Sequence, residues 1–327
     1  MALSLTAEET VFPLAEVFTI SRGSRTEARV VTVELSDGTH TGRGESVPYA
    51  RYDETVAGVI ETINGLSAEL ANGLNRQDLQ SALPGGAARN ALDCAFWDME
   101  AKRAGKRAWQ LAGLSEPGPQ ITAYTLSLAD PDVMRAKAQQ NAHRPLLKIK
   151  LGGENDMARL EAVREGAPDT DIIIDANEGW DVATYRELAP VLLRLGVKMV
   201  EQPLPAGDDE ALRGIERVLP VCADEACHDT ASLPNLAGKY DMINIKLDKT
   251  GGLTEALALR DAGLAAGFQI MVGCMVGSSL AMAPATLVAQ GAAYTDLDGP
   301  LLLAEDRNTP LHFDNQGVHP PVAELWG

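Results

Sequence analysis

The sequence predicts an α/β protein in which a parallel (β/α) barrel carries a smaller α+β capping domain. From about residue 118, apolar strand-like runs alternate with helical stretches, and eight candidate strand ends lie 22 to 27 residues apart. A regular period of this size, repeated eight times, is typical of a TIM-type barrel. A doubly wound open sheet would give a similar spacing of strands and helices. The presence of eight candidate strands favours a closed barrel over an open sheet.

Residues 1–117 are expected to form the capping domain. Residues 1–50 suggest antiparallel strands, because the β-branched run from Ala28 to Leu35 precedes a Ser-Asp-Gly turn. Residues 53–82 show helical spacing of apolar side chains, and a long helix is predicted from Ala87 to about Ala104. Strands followed by helices favour an α+β arrangement.

The barrel is predicted over residues 118–300. Gly196 and Gly267 stand where a glycine commonly follows the end of a helix. Residues 301–327 are rich in Pro and Gly and are expected to pack back on the capping domain. The strand ends are predicted near Tyr124, Lys150, Asp175, Glu201, Asp224, Lys246, Gly273 and Leu297.

Composition excludes some classes of partner. Asp and Glu outnumber Lys and Arg by 46 to 28, for a formal charge of −18, which argues against nucleic acid and anionic membrane surfaces. Neither a signal peptide nor a transmembrane run is recognised, so a cytoplasmic protein is expected. Cys94, Cys222, Cys227 and Cys274 match no zinc pattern and are expected to be reduced and mostly buried.

Three acids follow three consecutive apolar strands. Asp175, Glu201 and Asp224 each end a run of aliphatic residues, where an unpaired carboxylate is costly. One such acid could be a helix N-cap, but in a barrel all three converge on one point. Hard carboxylate oxygens favour Mg²⁺, and none of the five histidines follows a barrel strand in this way. The sequence therefore predicts a Mg²⁺ site.

Lysines flank this predicted metal site. Lys148 and Lys150 point the same way from one strand, and two like charges at that distance are expected to lower each other's proton affinity. Lys246 lies four strands further round and faces them across the barrel mouth. A solvated surface pair is the alternative for the first two lysines, and a salt bridge with Asp248 is the alternative for Lys246.

Asp296 and Asp298 end the eighth strand and project to the same side. A carboxylate pair outside the metal site suits an ammonium group. The alternative is a turn, because Asp-Gly-Pro is a strong turn sequence.

The combination of a Lys-x-Lys strand, an opposed lysine, three acids and an Asp-x-Asp strand resembles the enolase superfamily, in its muconate-lactonizing-enzyme-like subgroup. Within that subgroup it is similar to the dipeptide epimerases, and the runs 21–25, 87–94 and 244–258 look like the L-Ala-D/L-Glu epimerases. The resemblance covers nearly the whole chain, and it implies a capping domain of enolase type.

The resemblance also implies roles. The protein would be a Mg²⁺-dependent isomerase that inverts the α-carbon of the C-terminal residue of a dipeptide by 1,1-proton transfer through a metal-stabilised enolate. Loops near residues 18–25 and 48–52 would close over the substrate, which would come from peptidoglycan turnover. The implied residues are Lys150 and Lys246 as acid and base, Lys148 at the enolate oxygen, Asp175, Glu201 and Asp224 on Mg²⁺, Asp296 and Asp298 at the ammonium group, Arg25 or else Arg22 at a Glu side chain, Thr125 as a further substrate contact, and Asn177, Glu225 and Asp248 as supporting residues.

Rival functions remain open at this point. An o-succinylbenzoate synthase or a cycloisomerase would keep the two lysines but would not need the Asp296–Asp298 pair. A Schiff-base aldolase needs one lysine and no metal triad, and a non-catalytic metal-binding protein needs no opposed lysines. The glycine-rich run 273–279 lacks the Gly-Lys-Ser/Thr of a P-loop and is expected to contact the dipeptide backbone. The exact dipeptide and the oligomeric state stay open, and a homo-oligomer is compatible with the sequence.

Overall fold

The structure is a computed structural model that describes residues 3–327. Within this range it contains a three-stranded antiparallel sheet, an eight-stranded parallel sheet and a two-stranded hairpin. No helix between residues 3 and 327 has the length and apolar character needed to cross a membrane.

The amino-terminal sheet is an antiparallel meander that packs on a long helix. The antiparallel strands and the helix predicted from Ala87 to Ala104 are confirmed. The elements are the strands β1 (Ser4–Ile20), β2 (Gly23–Ser36) and β3 (Thr41–Ser46) and the helices α1 (Val56–Gly65), α2 (Ser67–Ala71), α3 (Arg76–Ala82), α4 (Ala87–Ala104) and α5 (Ala108–Leu111), with a 3₁₀ turn at Ala50–Tyr52.

Two glycines let β3 lie directly on α4. A Cβ atom added at Gly44 would lie 2.0 Å from the carbonyl oxygen of Ala91, and one added at Gly42 would lie 2.1 Å from that of Ala95. Because backbone rather than a flexible side chain stands in the way, any larger residue must push the sheet off the helix.

In the parallel sheet, strands that are neighbours in the sequence are also neighbours in space, as expected for a barrel. Its strands are β4 (Tyr124–Leu126), β5 (Leu146–Lys150), β6 (Asp171–Asp175), β7 (Val197–Glu201), β8 (Val221–Ala223), β9 (Met242–Ile245), β10 (Gln269–Val272) and β11 (Tyr294–Thr295). The helices are α6 (Pro131–Asn141), α7 (Asp156–Gly166), α8 (Val182–Arg194), α9 (Leu233–Leu236), α10 (Leu247–Thr250), α11 (Leu253–Ala265) and α12 (Ser279–Val288).

The first and last strands of this sheet meet, so the sheet closes into a barrel. Thr122 and Thr295 form a parallel bridge, and the N–H of Ala123 donates to the carbonyl of Thr295 at 2.8 Å. The N–H of Leu297 donates to Thr122 Oγ1 at 2.9 Å. The open-sheet alternative is therefore wrong. A 3₁₀ turn at Gly299–Leu302, not an eighth helix, follows β11.

An apolar layer fills the bottom of the barrel. Successive strands contribute the buried residues Ala123, Leu146, Ile173, Met199, Cys222, Met242 and Met271. Side chains two residues further along a strand point to the same face. The residue two positions after each of these therefore also faces the interior, one layer nearer the carboxyl ends of the strands.

The carboxyl-terminal residues contact the capping domain. Arg43 Nη2 donates to the carbonyl of Leu325 at 2.7 Å, and Trp326 Nε1 donates to the carbonyl of Cys94 at 3.0 Å. Before this contact the chain forms a hairpin of β12 (Phe313–Asp314) and β13 (Gly317–Val318). The four cysteines are free thiols and three are buried, as expected.

Two predicted helix ends are also confirmed. Gly196 and Gly267 follow α8 and α11 with φ angles of 73° and 88°. These angles lie in the left-handed region, which glycine adopts at little cost.

We expect Gly44→Ala to lower the free energy of unfolding by at least about 1–3 kcal/mol, the usual cost of overpacking a core. Urea unfolding followed by circular dichroism measures the effect. Gly65→Ala is the matched control, because nothing lies within 4 Å of the added methyl group at the end of α1. Equal midpoints for wild type and Gly44→Ala would contradict the close approach.

Candidate active site

A charged layer lies on top of the apolar layer at the carboxyl ends of the strands. In β5 to β9 its members follow the apolar residues by two positions, so one alternation pattern supplies both layers. The layer comprises Lys148, Asp175, Glu201, Asp224 and Asn244. Lys150 and Lys246 lie two residues further along the chain than Lys148 and Asn244, and Asp296 directly follows β11.

The three acids predicted from the strand ends come together. Asp175, Glu201 and Asp224 are at most 2% exposed, and one carboxylate oxygen of each lies within 4.8 Å of the others. The N–H of Asn177 donates to Asp175 Oδ1 at 2.9 Å, and Asn244 Nδ2 donates to Glu201 Oε1 at 2.6 Å. Each of these two carboxylates is thus fixed through one oxygen, which leaves the other for a neighbour or a ligand.

The lysines lie against these acids. Lys150 Nζ is 2.5 Å from Asp175 Oδ2, and Lys246 Nζ is 2.6 Å from Asp224 Oδ2. The alternative in which Lys246 pairs with Asp248 is wrong, because Asp224 at the end of the neighbouring strand is the carboxylate that Lys246 contacts. The two lysines therefore approach the acid cluster from different strands.

Lys148 is fully buried and lies among three carboxylates. Its Nζ is 2.6 Å from Glu201 Oε2, 2.7 Å from Asp296 Oδ2 and 3.2 Å from Asp175 Oδ2. Burial disfavours its charged form, but Asp296, Glu201 and Asp175 outweigh burial and raise the pKa of Lys148 well above its usual value. The expected lowering of its proton affinity by Lys150 is wrong for this arrangement, because the acids lie closer.

Lys249 is a buried cation that the sequence analysis missed. Its Nζ lies 2.7 Å from Asp224 Oδ1 and donates to the carbonyl of Asn244 at 3.0 Å. Burial opposes ionisation of Asp224, yet Lys246 and Lys249 together hold the pKa of its carboxyl well below its usual range. The spacing of Lys249 three residues after Lys246 was the only signal in the sequence.

These residues form a suitable set of donors for a divalent cation. Burial and the neighbouring Asp175 raise the pKa of Glu201 to about 7, so its charge is poorly compensated by the protein alone. Although Glu201 Oε2 is close to Lys148, it has no partner with hydrogen-bond geometry anywhere in residues 3–327. Three buried carboxylates without a nitrogen or sulfur donor suit a hard ion.

A second acid pair lines the same pocket. The N–H of Thr125 donates to Asp298 Oδ2 at 2.6 Å, and Asp296 Oδ2 contacts Lys148. Asp296 Oδ1 is buried and has no hydrogen-bond partner in the described part of the chain. Burial and the neighbouring Asp296 raise the pKa of Asp298 to about 7. A cationic group in the pocket would relieve both costs.

The capping domain forms the roof of the pocket. Phe18, Ile20, Arg25 and Tyr52 line it from above, and Cys274, Met275 and Val276 of the glycine-rich run line it from the barrel side. Tyr49 and Tyr52, both partly buried, also line the pocket, and no motif in the sequence pointed to either of them.

The two predicted arginines differ in their partners. Arg22 Nη2 lies 2.8 Å from Glu225 Oε1, and its Nη1 donates to the carbonyl of Asn177 at 2.9 Å. The guanidinium of Arg25 lies over the ring of Tyr49 at 5.1 Å from its centroid. No acidic side chain in residues 3–327 forms an ion pair with Arg25, so its charge is available to the pocket.

Asp248 does not belong to the pocket. Its Oδ1 accepts from the N–H of Val47 at 2.9 Å and from Asn90 Nδ2 at 2.8 Å. Asp248 lies in the first turn of the short helix α10 rather than on β9, and its side chain joins the barrel to the capping domain. The predicted place of Asp248 beside Lys246 is wrong for this reason.

Comparison with known proteins gives two family matches. Residues 4–113 match the family described as mandelate racemase / muconate lactonizing enzyme, N-terminal domain, and residues 133–323 match the enolase C-terminal domain-like family. The chain is 46% identical to the L-Ala-D/L-Glu epimerase of Escherichia coli, over 95% of this chain and 98% of that protein. It is 43% identical to the N-acetyl-D-glutamate racemase of Pseudoalteromonas, over 91% and 95%.

Solved structures match over the same length. An enolase family member from Agrobacterium tumefaciens, described as homologous to dipeptide epimerases and holding sodium and L-Ala-L-Glu, is 54% identical with a TM-score of 0.97, over 99% of this chain and 100% of that one. A dipeptide epimerase from Enterococcus faecalis, complexed with Mg and L-Leu-L-Tyr, is 29% identical with a TM-score of 0.91, over 99% of both chains.

Proposed function

We propose that this chain, which belongs to the mandelate racemase / muconate lactonizing enzyme family of the enolase superfamily, inverts the α-carbon of the C-terminal residue of a dipeptide. L-Ala-L-Glu is the first candidate substrate. The chain is an isomerase, in common with the epimerases and racemases that it resembles. Dipeptide epimerisation is the function that both the pocket and the similar proteins support best.

The observation that carries the proposal is the buried acid pair of Asp296 and Asp298. A free dipeptide has an N-terminal ammonium group, whereas an N-acylated amino acid has a neutral amide in its place. Asp296 Oδ1, which has no hydrogen-bond partner in residues 3–327, and the raised pKa of Asp298 both favour a cation at this end of the pocket. The similarity to an N-acetyl-D-glutamate racemase makes N-acetylglutamate the second candidate substrate.

Mg²⁺ is the proposed cofactor, held by Asp175, Glu201 and Asp224. Their oxygens have the spacing and burial for one hard ion, and a dipeptide epimerase of similar fold has been crystallised with Mg. When bound, the ion would withdraw negative charge from the substrate carboxylate and so acidify the neighbouring α-proton.

The two opposed lysines would then move the proton. Lys150, beside Asp175, ends β5, and Lys246, beside Asp224, directly follows β9, so the two amines reach the acid cluster from different strands. One neutral amine would take the α-proton, and the opposite ammonium would return a proton to the other face. Because either lysine can start, both epimers would be substrates. Lys148 would neutralise charge that develops on the substrate carboxylate.

Arg25 is the proposed partner of an acidic substrate side chain. It lines the pocket, and its guanidinium lies over Tyr49 rather than against a carboxylate of residues 3–327. Arg22, by contrast, already pairs with Glu225 and Glu178 and fastens the capping domain to the barrel.

The direct test is proton NMR of the dipeptide in D₂O. With Mg²⁺ we expect the Glu α-proton signal of L-Ala-L-Glu to disappear while L-Ala-D-Glu accumulates. EDTA should stop the exchange and added Mg²⁺ should restore it. Faster exchange of N-acetyl-L-glutamate would assign the second candidate function. Exchange with neither compound, nor within a dipeptide library, would contradict both and favour a synthase or cycloisomerase.

Replacement of one proposed acid–base lysine should separate exchange from inversion. We expect Lys150→Ala and Lys246→Ala each to lose epimerisation by at least about 10²-fold, the usual contribution of a positioned proton carrier. Each variant should still exchange deuterium into one epimer, and a different one in each case. Lys198→Ala, on the outer face of β7, is the matched control and should keep full activity. Complete epimerisation by either single variant would exclude the two-base mechanism.

Arg25→Gln should change substrate preference. We expect kcat/KM for L-Ala-L-Glu to fall about 10- to 100-fold, the worth of one charge-assisted hydrogen bond, while L-Ala-L-Gln is little affected. Arg29→Gln is the control, because Arg29 is exposed on the same strand and pairs with Glu9 and Glu27. An equal loss for both dipeptides would contradict recognition of the acidic side chain by Arg25.

A further inference from the structure

A second group of potential metal ligands lies on the β12–β13 hairpin, outside the catalytic pocket. His312, Asp314 and His319 present ligand atoms within 4.8 Å of one another. None of the three lines the pocket that holds the lysines and the acid cluster. The mechanism proposed above uses none of them.

The hairpin fixes which side chains can meet. Phe313 pairs with Val318, and the N–H of His319 donates to the carbonyl of His312 at 2.9 Å. The two histidines are therefore directly opposite each other, with ring centroids 4.7 Å apart. Asp314 lies two residues after His312 and so points to the same face of the strand. Strand pairing, rather than flexible loops, sets the arrangement.

The hairpin itself is held firmly against the barrel. The N–H of Gln120 donates to the carbonyl of Val318 at 3.0 Å, and the N–H of Val318 donates back at 2.9 Å. Gly317 has φ +110°, and a Cβ atom there would lie 1.8 Å from the carbonyl oxygen of Gln120. The site would thus be preorganised before an ion arrives.

The distances suit a small ion with short bonds. His312 Nε2 lies 3.4 Å from Asp314 Oδ2, and His319 Nε2 lies 3.0 Å from the same oxygen. Bonds of about 2.0–2.1 Å in tetrahedral geometry require ligand atoms about 3.3–3.4 Å apart. Asp314 Oδ1 accepts from the N–H of Gln316 at 2.7 Å, which aims the other oxygen at the histidines.

In the described residues, one of these ligand atoms has no hydrogen-bond partner outside the group of three. His319 Nε2 is buried and, across residues 3–327, has no partner with hydrogen-bond geometry, even though Asp314 Oδ2 is near. Because this buried ring nitrogen faces only another member of the group, a metal ion placed between them would give both atoms a bonding partner.

We propose that His312, Asp314 and His319 bind a transition-metal dication, Zn²⁺ in the first instance, at a site separate from the carboxylate cluster. Two imidazoles and one carboxylate favour Zn²⁺, Cu²⁺ or Ni²⁺ over Mg²⁺, whereas three carboxylates favour the harder ion. His312 is exposed, so water completes the coordination and the ion can enter from solvent. The bound ion ties the two strands of the hairpin together.

Calorimetry of the tag-free full-length protein tests the site. In saturating Mg²⁺, which occupies the carboxylate cluster, we expect one equivalent of Zn²⁺ to bind. His312→Gln and His319→Gln should each weaken Zn²⁺ binding by at least about 10-fold, since loss even of an outer-shell partner costs that much. His143→Gln, an exposed histidine on another part of the surface, is the matched control and should bind as wild type does.

A spectroscopic measurement distinguishes the two sites. Electron paramagnetic resonance of the protein with one equivalent of Cu²⁺ should show coupling to imidazole nitrogen, which the acid cluster cannot supply. The double variant His312→Gln/His319→Gln should lose this coupling and keep its isomerase activity. Absence of Zn²⁺ binding in Mg²⁺, or nitrogen coupling that survives in the double variant, would overturn the proposal whatever the outcome for the isomerase function.

Discussion

The burial of three carboxylates at one point is the constraint on which the rest of the structure depends. Asp175, Glu201 and Asp224 are removed from water, and such burial is costly unless opposite charges are close. The protein supplies those charges from inside the barrel. Lys148, Lys150, Lys246 and Lys249 all contact this cluster, and each comes from β5 or from the segment that follows β9.

Buried charged groups are also paired between the capping domain and the barrel. Arg22 joins the cap to the barrel through Glu225, and Arg307 pairs with the buried Glu45 of β3 at 2.6 Å. Asp248 of the barrel accepts hydrogen bonds from Val47 and Asn90 of the cap. The roof of the pocket is therefore attached by buried polar contacts with defined directions, which fix its position better than a flat apolar interface would.

Sequence periodicity predicted the parts of the molecule that repeat. The strand ends, the helix from Ala87 and the convergence of the three acids follow from local patterns that need no knowledge of distant contacts. The errors concern pairing between neighbouring strands and between domains. The partner of Lys246 is Asp224, and Asp248 turns toward the cap, because a helix starts immediately after β9. Lys249 and Tyr49 were missed since their contacts exist only after the chain has folded.

The alternation within the barrel strands has a consequence for how such a protein can change. Positions two residues apart on one strand have different roles, because the lower residue packs the barrel and the upper residue contributes a charged or polar group to the pocket. Selection for a stable fold and selection for a new reaction therefore act on separate, interleaved positions. A lineage can replace the upper layer and diversify its reactions while it inherits the lower layer intact.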